Sequence, residues 1–123
     1  MNRKALLIVA HGSRKDESNS EIHELANNIA SRSNAFSIVE ACFLEIAKPS
    51  IPEGLEICVN KNASEILIMP YFLAAGRHVT EDIPQIINEE KIKYLDISIK
   101  LLPYLGSNPD IVDILKTLAE NDV

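Results

Sequence analysis

The chain has 123 residues, of which 18 are acidic and 12 are basic, giving a formal net charge of −6. Its length fits one compact, soluble domain over residues 1–123, and a hydrophobic fraction of 46% is enough for a core. Nucleic acid is not an expected partner because it would need a basic face, and no apolar stretch approaches the roughly 18 residues of a membrane helix.

Four apolar runs predict β-strands. They lie at residues 5–10, 37–44, 65–70 and 95–102. Continuous apolar runs are typical of parallel strands that helices cover on both faces. The fourth run alternates in part between apolar and polar residues, which suits a strand with one face less buried.

Four segments with the apolar spacing of amphipathic helices alternate with these strands. Their apolar stripes lie within residues 22–30, 51–59, 83–87 and 111–119. In the last stripe we expect five residues to face the core, namely Ile111, Ile114, Leu115, Leu118 and Ala119. The alternation predicts an α/β fold, an open, doubly wound, parallel four-stranded sheet flanked by helices.

Three local signals predict where helices begin. Ser18 with Glu21, and Ser50 with Glu53, have the spacing of a capping box, in which the two side chains satisfy free N–H groups. The Asn-Pro pair at 108–109 predicts the start of the last helix, since proline suits the first helical position.

The start of the chain and its two cysteines predict the compartment. Only six apolar residues, at 5–10, follow the basic N-terminus, which is too short for the apolar part of a secretory signal. Cys42 and Cys58 lie in periodic apolar segments and lack metal-ligand spacing. We expect reduced core thiols, and therefore a cytoplasmic protein without disulfides.

Polar residues follow three of the predicted strands. His11 follows the first strand, Glu45 and Lys48 follow the second, and His78 ends the loop after the third. Because ligands bind beyond the carboxyl ends of parallel strands, we expect these residues to converge on one edge of the sheet. The alternative interpretation is that they are hydrogen-bonded loop histidines and an ordinary surface ion pair.

Glycines and arginines stand beside both histidines. Gly12 and Gly76 lack side chains, which lets the backbone approach a ligand. Arg14 and Arg77 are basic residues near the same edge, with solvated loop charges as the alternative. His23 lies on the flank of the first helix and is expected at the surface.

Several familiar sites are absent from the sequence. It contains no G-x-G-x-x-G or Walker A loop, no G-x-S-x-G elbow, and no H-x-x-x-H or C-x-x-C spacing. A pair of imidazoles with one carboxylate remains, and such a set suits Co²⁺, Ni²⁺ or Fe²⁺ with positions open to a substrate.

The histidines, Glu45, Lys48 and their neighbouring glycines and arginines fall within three motifs: HGSR at 11–14, FLEIAKPSIP at 43–52, and FLAAGRHVTEDIP at 72–84. Together they resemble the class II tetrapyrrole chelatases of the small CbiX type, which are related to CfbA and SirB. The likeness covers nearly the whole chain, including residues 103–106 and 110–113. It implies a chelatase-like fold, a flavodoxin-like half-unit. A histidine-rich insertion found after the third helix in some archaeal members is missing at residues 88–93.

The resemblance implies insertion of a divalent metal ion into sirohydrochlorin, with release of two protons, in cobalamin- or siroheme-type tetrapyrrole biosynthesis. The ion is a substrate, Co²⁺ by family likeness with Ni²⁺ or Fe²⁺ as alternatives, and no permanently bound cofactor is implied. A tetrapyrrole or metal carrier without catalysis is a second hypothesis. Phosphoryl chemistry at His11 is a third, but Ala10 stands where histidine phosphatases need an arginine.

The resemblance also implies roles for individual residues. His11 and His78 bind the metal, His11 accepts a proton, and Glu45 is the third catalytic residue. Substrate contacts fall on seven positions: Lys48, Leu73, Ala74, Ala75, Gly76, Arg77 and His78. Arg14, a base near the same edge, is an eighth expected substrate contact. Sirohydrochlorin carries eight carboxylates, which arginine grips in bidentate fashion. Larger family members contain two such units facing each other, so a homodimer is expected here.

Overall fold

The strands of the computed structural model, which describes residues 3–122, form one parallel sheet. They are β1 (Lys4–Ala10), β2 (Ile38–Phe43), β3 (Glu65–Pro70) and β4 (Ser98–Leu101). Their order across the sheet is β2-β1-β3-β4, and every neighbouring pair is parallel. The predicted open, parallel α/β sheet is confirmed. Residues 1, 2 and 123 of the predicted 1–123 domain lie outside the described residues.

In the described part of the chain, four α-helices and two short helical turns connect and follow the strands. The helices are α1 (Asp16–Arg32), α2 (Ile51–Asn60), α3 (Ile83–Lys91) and α4 (Asp110–Glu120). A π-helical turn, His78–Asp82, leads directly into α3, and a 3₁₀ turn, Leu105–Ser107, precedes α4. Among residues 3–122, no helix combines the length and apolar character that crossing a bilayer requires.

One face of the sheet carries the larger core. Helices α2 and α3 cover it, and strand and helix side chains there are at most 1% exposed: Leu7, Val9, Ile66, Ile68, Ile51, Leu55, Ile83 and Ile87. Cys42 and Cys58 lie in this core as free thiols, as expected. Burial raises the pKa of the Cys42 thiol far above its usual range and that of Cys58 to about 12.

The opposite face is covered over only part of its width. Helix α1 packs there on β1 and β2 and buries Leu6, Ile8 and Ala41. Leu67 and Met69 of β3 point to the same face but stay half-buried. Helices lie over both faces, as the sequence predicts, but among the described residues this half of the α1 face has no helix packed on it.

Helix α4 explains the difference. None of its eleven residues, all within the described range, is buried, and Leu115 and Leu118 are 62% and 65% exposed. The prediction that residues 111, 114, 115, 118 and 119 face this chain's core is therefore wrong. Helical periodicity identifies an apolar face, but it does not identify the surface that covers that face.

The last strand is shorter than predicted. It begins at Ser98 rather than at residue 95, because the preceding residues form a turn in which the Ile97 N–H donates to the Tyr94 carbonyl at 3.1 Å. Leu95 is exposed within this turn. The partial alternation of residues 95–102 extends into the turn and does not distinguish it from a strand.

The capping predictions have mixed outcomes. Ser50 and Glu53 form the predicted capping box, with the Ser50 N–H donating to Glu53 Oε1 at 2.8 Å and the Glu53 N–H donating to Ser50 Oγ at 3.3 Å. The box predicted at Ser18 is wrong, because α1 already begins at Asp16. At the start of α4, Asn108 Oδ1 accepts the Asp110 N–H at 2.8 Å, and the helix begins directly after the proline.

Candidate metal centre

Three side chains from three strand ends meet at the carboxyl edge of the sheet. His11 directly follows β1, Glu45 lies two residues after β2, and His78 opens the π-helical turn after β3. One ligand atom from each lies within 4.8 Å of the others. Strands β1 and β3 are neighbours, and the helices that cover the two sheet faces diverge there, which is where doubly wound folds place their ligands.

His11 is held at both ring nitrogens. Its Nδ1 lies 3.0 Å from the Gly12 carbonyl oxygen, and its Nε2 lies 2.8 Å from Glu45 Oε1. Because a carbonyl oxygen only accepts, Nδ1 carries a proton in this contact. The contact of Nε2 with the Glu45 carboxylate also needs a proton between the two atoms. When that proton has left, Nε2 is the atom that can bind a metal ion or accept a proton.

His78 is oriented by a carboxylate. Its Nδ1 lies 2.7 Å from Asp82 Oδ2 within the π-helical turn, so Nδ1 again carries the proton and Nε2 is the atom available to a metal ion. The two histidine rings are 5.2 Å apart between centroids and inclined by 55°. A carboxylate on the far nitrogen of a metal-binding histidine fixes its tautomer and ring orientation. Sequence reasoning missed Asp82, although its i,i+4 spacing from His78 is a usable signal.

The loops after β1 and β2 are locked together by their backbones. The Leu44 N–H donates to the Ala10 carbonyl at 2.9 Å, and the Glu45 N–H donates to the His11 carbonyl at 3.1 Å. Gly12 has φ +101°, and a Cβ there would overlap the Glu45 carbonyl oxygen. Gly12 therefore makes room for the neighbouring loop. That it also lets the backbone approach a ligand stays a prediction.

The loop after β3 is anchored from the C-terminal side. The Gly106 N–H donates to the Phe72 carbonyl at 2.9 Å, and a Cβ at Gly106 would overlap the Leu73 carbonyl oxygen. Residues 73–77 of this loop are exposed, including Ala74, Ala75 and Gly76. A Cβ at Gly76 would meet no heavy atom within 4 Å among the described residues, so this glycine borders open space.

Large apolar side chains stand exposed on these loops. Leu73 is 71% exposed, and Ile46, next to Glu45, is 59% exposed. Ile46 has φ +73°, which is rare for a β-branched residue and is typical of strained functional loops. Sequence reasoning missed Ile46 because nothing in the sequence reveals its backbone conformation.

The basic residues fall into two environments. Arg14 and Lys48 line an open hollow of about 560 Å³, to which Ser13, His23 and Ile46 also contribute. His23 is exposed as expected and lies edge-on to Phe43, with 5.5 Å between ring centroids. Arg77 instead forms an exposed pair with Glu81, with Nε 3.4 Å from Oε2.

A second groove borders the candidate metal centre and is acidic. It has a volume of about 320 Å³ and is lined in part by Glu45, His78, Asp82 and Glu89. The side chains of His11, Glu45 and His78 are 45%, 51% and 43% exposed, so the three ligand groups are open to solvent. The fold and these groups define an α/β protein with a candidate divalent-metal site at an open sheet edge.

The CbiX family model matches residues 5–121, and the chain belongs to this family. The chain is similar to a sirohydrochlorin cobaltochelatase of Priestia megaterium, with 33% identity over 93% of this chain and 37% of that protein. It is 32% identical to the chloroplastic sirohydrochlorin ferrochelatase of Arabidopsis thaliana, over 89% of this chain and 48% of that protein.

The fold also matches a solved structure of the sirohydrochlorin chelatase SirB from Bacillus subtilis subspecies spizizenii in complex with cobalt. The TM-score is 0.83 at 28% identity, and the match covers 97% of this chain and 50% of the SirB chain. This chain therefore spans half or less of the length of all three proteins.

Proposed function

We propose that the protein is a metal chelatase that inserts a divalent ion into sirohydrochlorin. The observation that carries the proposal is the meeting of His11, Glu45 and His78, with ligand atoms within 4.8 Å at a solvent-open edge. The names of the relatives support the same chemistry. They include both cobalt and iron, so Co²⁺ is the first metal to test, and Ni²⁺ and Fe²⁺ are the alternatives.

The three ligand groups suit a site that passes a metal ion on to a substrate rather than one that retains the ion. Two imidazoles and one carboxylate leave coordination positions open, so the nitrogens of a macrocycle can replace the protein ligands one after another. In the proposal the ion is a substrate held by Nε2 of His11, Nε2 of His78 and the Glu45 carboxylate. Asp82 keeps the His78 ring in place through its hydrogen bond to Nδ1.

Two protons leave the pyrrole nitrogens for each ion that enters. When the ion passes to the macrocycle, His11 Nε2 becomes free to accept one of them as a general base. Glu45 Oε1 lies 2.8 Å from that nitrogen, where it stabilises the imidazolium and relays the second proton to solvent.

The surroundings suit an anionic macrocycle. Leu73 and Ile46 offer exposed apolar contacts to the ring, and residues 74–76 are small enough for it to lie close. Arg14 and Lys48 line a hollow that can bind peripheral carboxylates. In the proposal Arg77 also binds the macrocycle: it gives up its ion pair with Glu81 and pairs with a substrate carboxylate instead.

The test is the absorbance change of sirohydrochlorin on metal insertion. His11→Ala and Glu45→Gln are expected to lower the rate about 10²-fold or more, as removal of a general base does. Glu24→Gln removes an exposed carboxylate on α1 and is the matched control, with an unchanged rate. Equal rates for wild type and His11→Ala contradict the proposal. Stoichiometric binding without repeated turnover instead supports the carrier hypothesis.

The proposal includes a cytoplasmic homodimer. The buried free thiols of Cys42 and Cys58 support a reducing compartment. One sheet edge offers one wall for a macrocycle, and a second copy related by a two-fold axis supplies the other. Light scattering coupled to gel filtration tests this; a monomer that still turns over contradicts it.

A further inference from the structure

Ile46 has a backbone conformation that its own side chain disfavours. Its φ is +73°, and the Ala47 N–H donates to the Glu45 carbonyl at 2.8 Å around it. A hydrogen bond from residue i+2 to residue i around a central φ near +75° is the rarer and more strained form of the γ-turn. The branched Cβ of isoleucine adds to the strain, because β-branched residues are outliers at positive φ.

Other turns in the described part of the chain avoid this strain. In the loop after β3, the Phe72 N–H donates to the Pro70 carbonyl at 3.0 Å around Tyr71, whose φ is not positive. The other non-glycine residue with positive φ between residues 3 and 122 is Asn62, and asparagine tolerates that region. For folding alone, glycine or asparagine would therefore suit position 46 better than isoleucine does.

Backbone contacts on both sides hold Ile46 in this conformation. Before it, the Glu45 N–H donates to the His11 carbonyl at 3.1 Å. At the base of the loop, the Phe43 N–H donates to the Pro49 carbonyl at 2.8 Å. The chain therefore has to reverse its direction within a few residues of Glu45, whichever side chain stands at position 46.

The Ile46 side chain gains little from the folded chain. It is 59% exposed and belongs to neither core cluster of the described residues. A side chain that keeps most of its surface in water contributes little hydrophobic stabilisation, so its burial does not offset the strain. Strain without a structural gain is typical of positions that serve a ligand.

The location of Ile46 indicates which ligand this is. Ile46 directly follows Glu45 of the candidate metal centre, and it lines the open hollow together with Arg14 and Lys48. An apolar side chain thus lies between a metal-binding group and two bases. This order matches a macrocycle that binds metal at its centre, has an apolar ring around it and carries carboxylates at its periphery.

We propose that Ile46 determines the affinity for the tetrapyrrole, and that its side chain packs on the ring between the metal centre and the hollow. The contact forms only when the substrate is bound, so it adds to binding and not to folding. At this position, substrate affinity and folding stability therefore oppose each other. The inference rests on the proposed function for the identity of the ligand, but it does not rest on metal insertion.

The first measurement is the affinity for sirohydrochlorin without metal, from the absorbance and fluorescence of the tetrapyrrole during titration. Ile46→Leu and Ile46→Asn introduce side chains of similar size, and only Ile46→Leu keeps an apolar one. We expect Ile46→Asn to raise the Kd about 10-fold or more, the usual effect of losing a few methylene groups from an apolar contact. Ile46→Leu is expected to bind nearly as tightly as wild type.

Asn62→Gly is the matched control for the binding measurement. It changes the other positive-φ residue, in the turn that precedes β3 at the opposite edge of the sheet, and should bind like wild type. Equal affinities for wild type and Ile46→Asn overturn the proposal. Absence of sirohydrochlorin binding by wild type also overturns it.

The second measurement is the urea midpoint, followed by circular dichroism. Ile46→Gly should have a higher midpoint than Ile46→Ala, because glycine adopts a positive φ without strain. At an unstrained position the order is the reverse, since glycine loses more conformational freedom on folding. A lower midpoint for Ile46→Gly than for Ile46→Ala removes the strain and overturns the proposal.

Failure of the proposed function would give a different pattern. If wild type binds sirohydrochlorin but does not insert Co²⁺, the proposed function fails, and weaker binding by Ile46→Asn still supports the role of Ile46. Calorimetric titration with Co²⁺ alone separates a second cause. If Ile46→Asn weakens Co²⁺ binding and leaves sirohydrochlorin binding unchanged, Ile46 supports Glu45 instead of contacting the ring, which overturns the proposal.

Discussion

Asp82 accepts a hydrogen bond from His78 across one turn of the π-helical segment, with 2.7 Å between Oδ2 and Nδ1. The contact makes Asp82 a positioning residue for the candidate metal centre. Asp82→Ala is expected to weaken Co²⁺ binding about 10- to 100-fold, the usual effect of removing a partner of a metal-binding histidine. Asp82→Asn keeps an acceptor and should recover part of the loss.

Calorimetric titration with Co²⁺ checks this prediction. Glu81→Gln is the matched control, because Glu81 is in the same turn but contacts Arg77 instead of a histidine. Its Co²⁺ affinity should equal that of wild type. If Asp82→Ala and Glu81→Gln bind Co²⁺ equally well, Asp82 does not position His78.

The sequence predicts that the three site residues meet at one edge of the sheet. It predicts only part of the contacts that hold them there. His11, Glu45 and His78 each follow a predicted strand, and parallel strands bring such residues to one edge. The hydrogen bond to Asp82 forms in a π-helical turn that apolar spacing does not reveal, and the i,i+4 spacing of His78 and Asp82 is its one signal in the sequence. The role of Gly12 depends on the path of the Glu45 backbone, which is fixed only when β1 and β2 pair.

The sequence predicts that α4 forms, but not where it packs. The stripe through Leu115 and Leu118 was visible, as was the start of the helix near Asn108. The direction of the helix depends on contacts of Gly106 with the loop at Leu73. These contacts are tertiary. The spacing of apolar residues predicts a helix and its apolar side, but it does not predict such contacts.

Gly12 and Gly76 form a contrasting pair for a stability measurement. Gly12→Ala imposes a positive φ on alanine and forces apart the backbones at Gly12 and Glu45, so we expect a loss on the order of 2–4 kcal/mol in the free energy of unfolding. Gly76→Ala places its Cβ in open space and should stay within about 0.5 kcal/mol of wild type. Urea unfolding followed by circular dichroism measures both. Equal stabilities would show that the loops are not locked at Gly12.

The capping box of α2 predicts a pH dependence. Hydrogen bonds from the backbone and side chain of Ser50 lower the pKa of Glu53 below its usual value. A lowered folded-state pKa contributes stability that is present above the unfolded pKa, about 4.3, and is lost as the pH falls through the folded pKa. The stability difference between wild type and Glu53→Gln should therefore shrink on acidification.

Urea midpoints measured from pH 7 down to pH 3 test this sign. Glu56→Gln removes an exposed carboxylate from the same helix and controls for the change in net charge. A wild-type advantage over Glu53→Gln that grows as the pH falls contradicts the assigned hydrogen bonds.

The two thiols should be inert in the native protein. Both side chains are fully buried, and burial raises their pKa values, to about 12 for Cys58, so almost no thiolate forms at pH 8. Ellman's reagent is expected to label neither thiol in native protein within minutes and both in guanidinium chloride. Rapid labelling of one thiol before unfolding would place it outside the core.

The rate of Co²⁺ insertion into sirohydrochlorin, at a protein concentration far below that of the tetrapyrrole, tests the central claim most directly. The proposed function predicts many turnovers for each chain in wild type. For a folded His11→Ala/His78→Ala variant, it predicts a rate at the uncatalysed level. Equal rates with and without wild-type protein, or equal rates for wild type and the double variant, would contradict it.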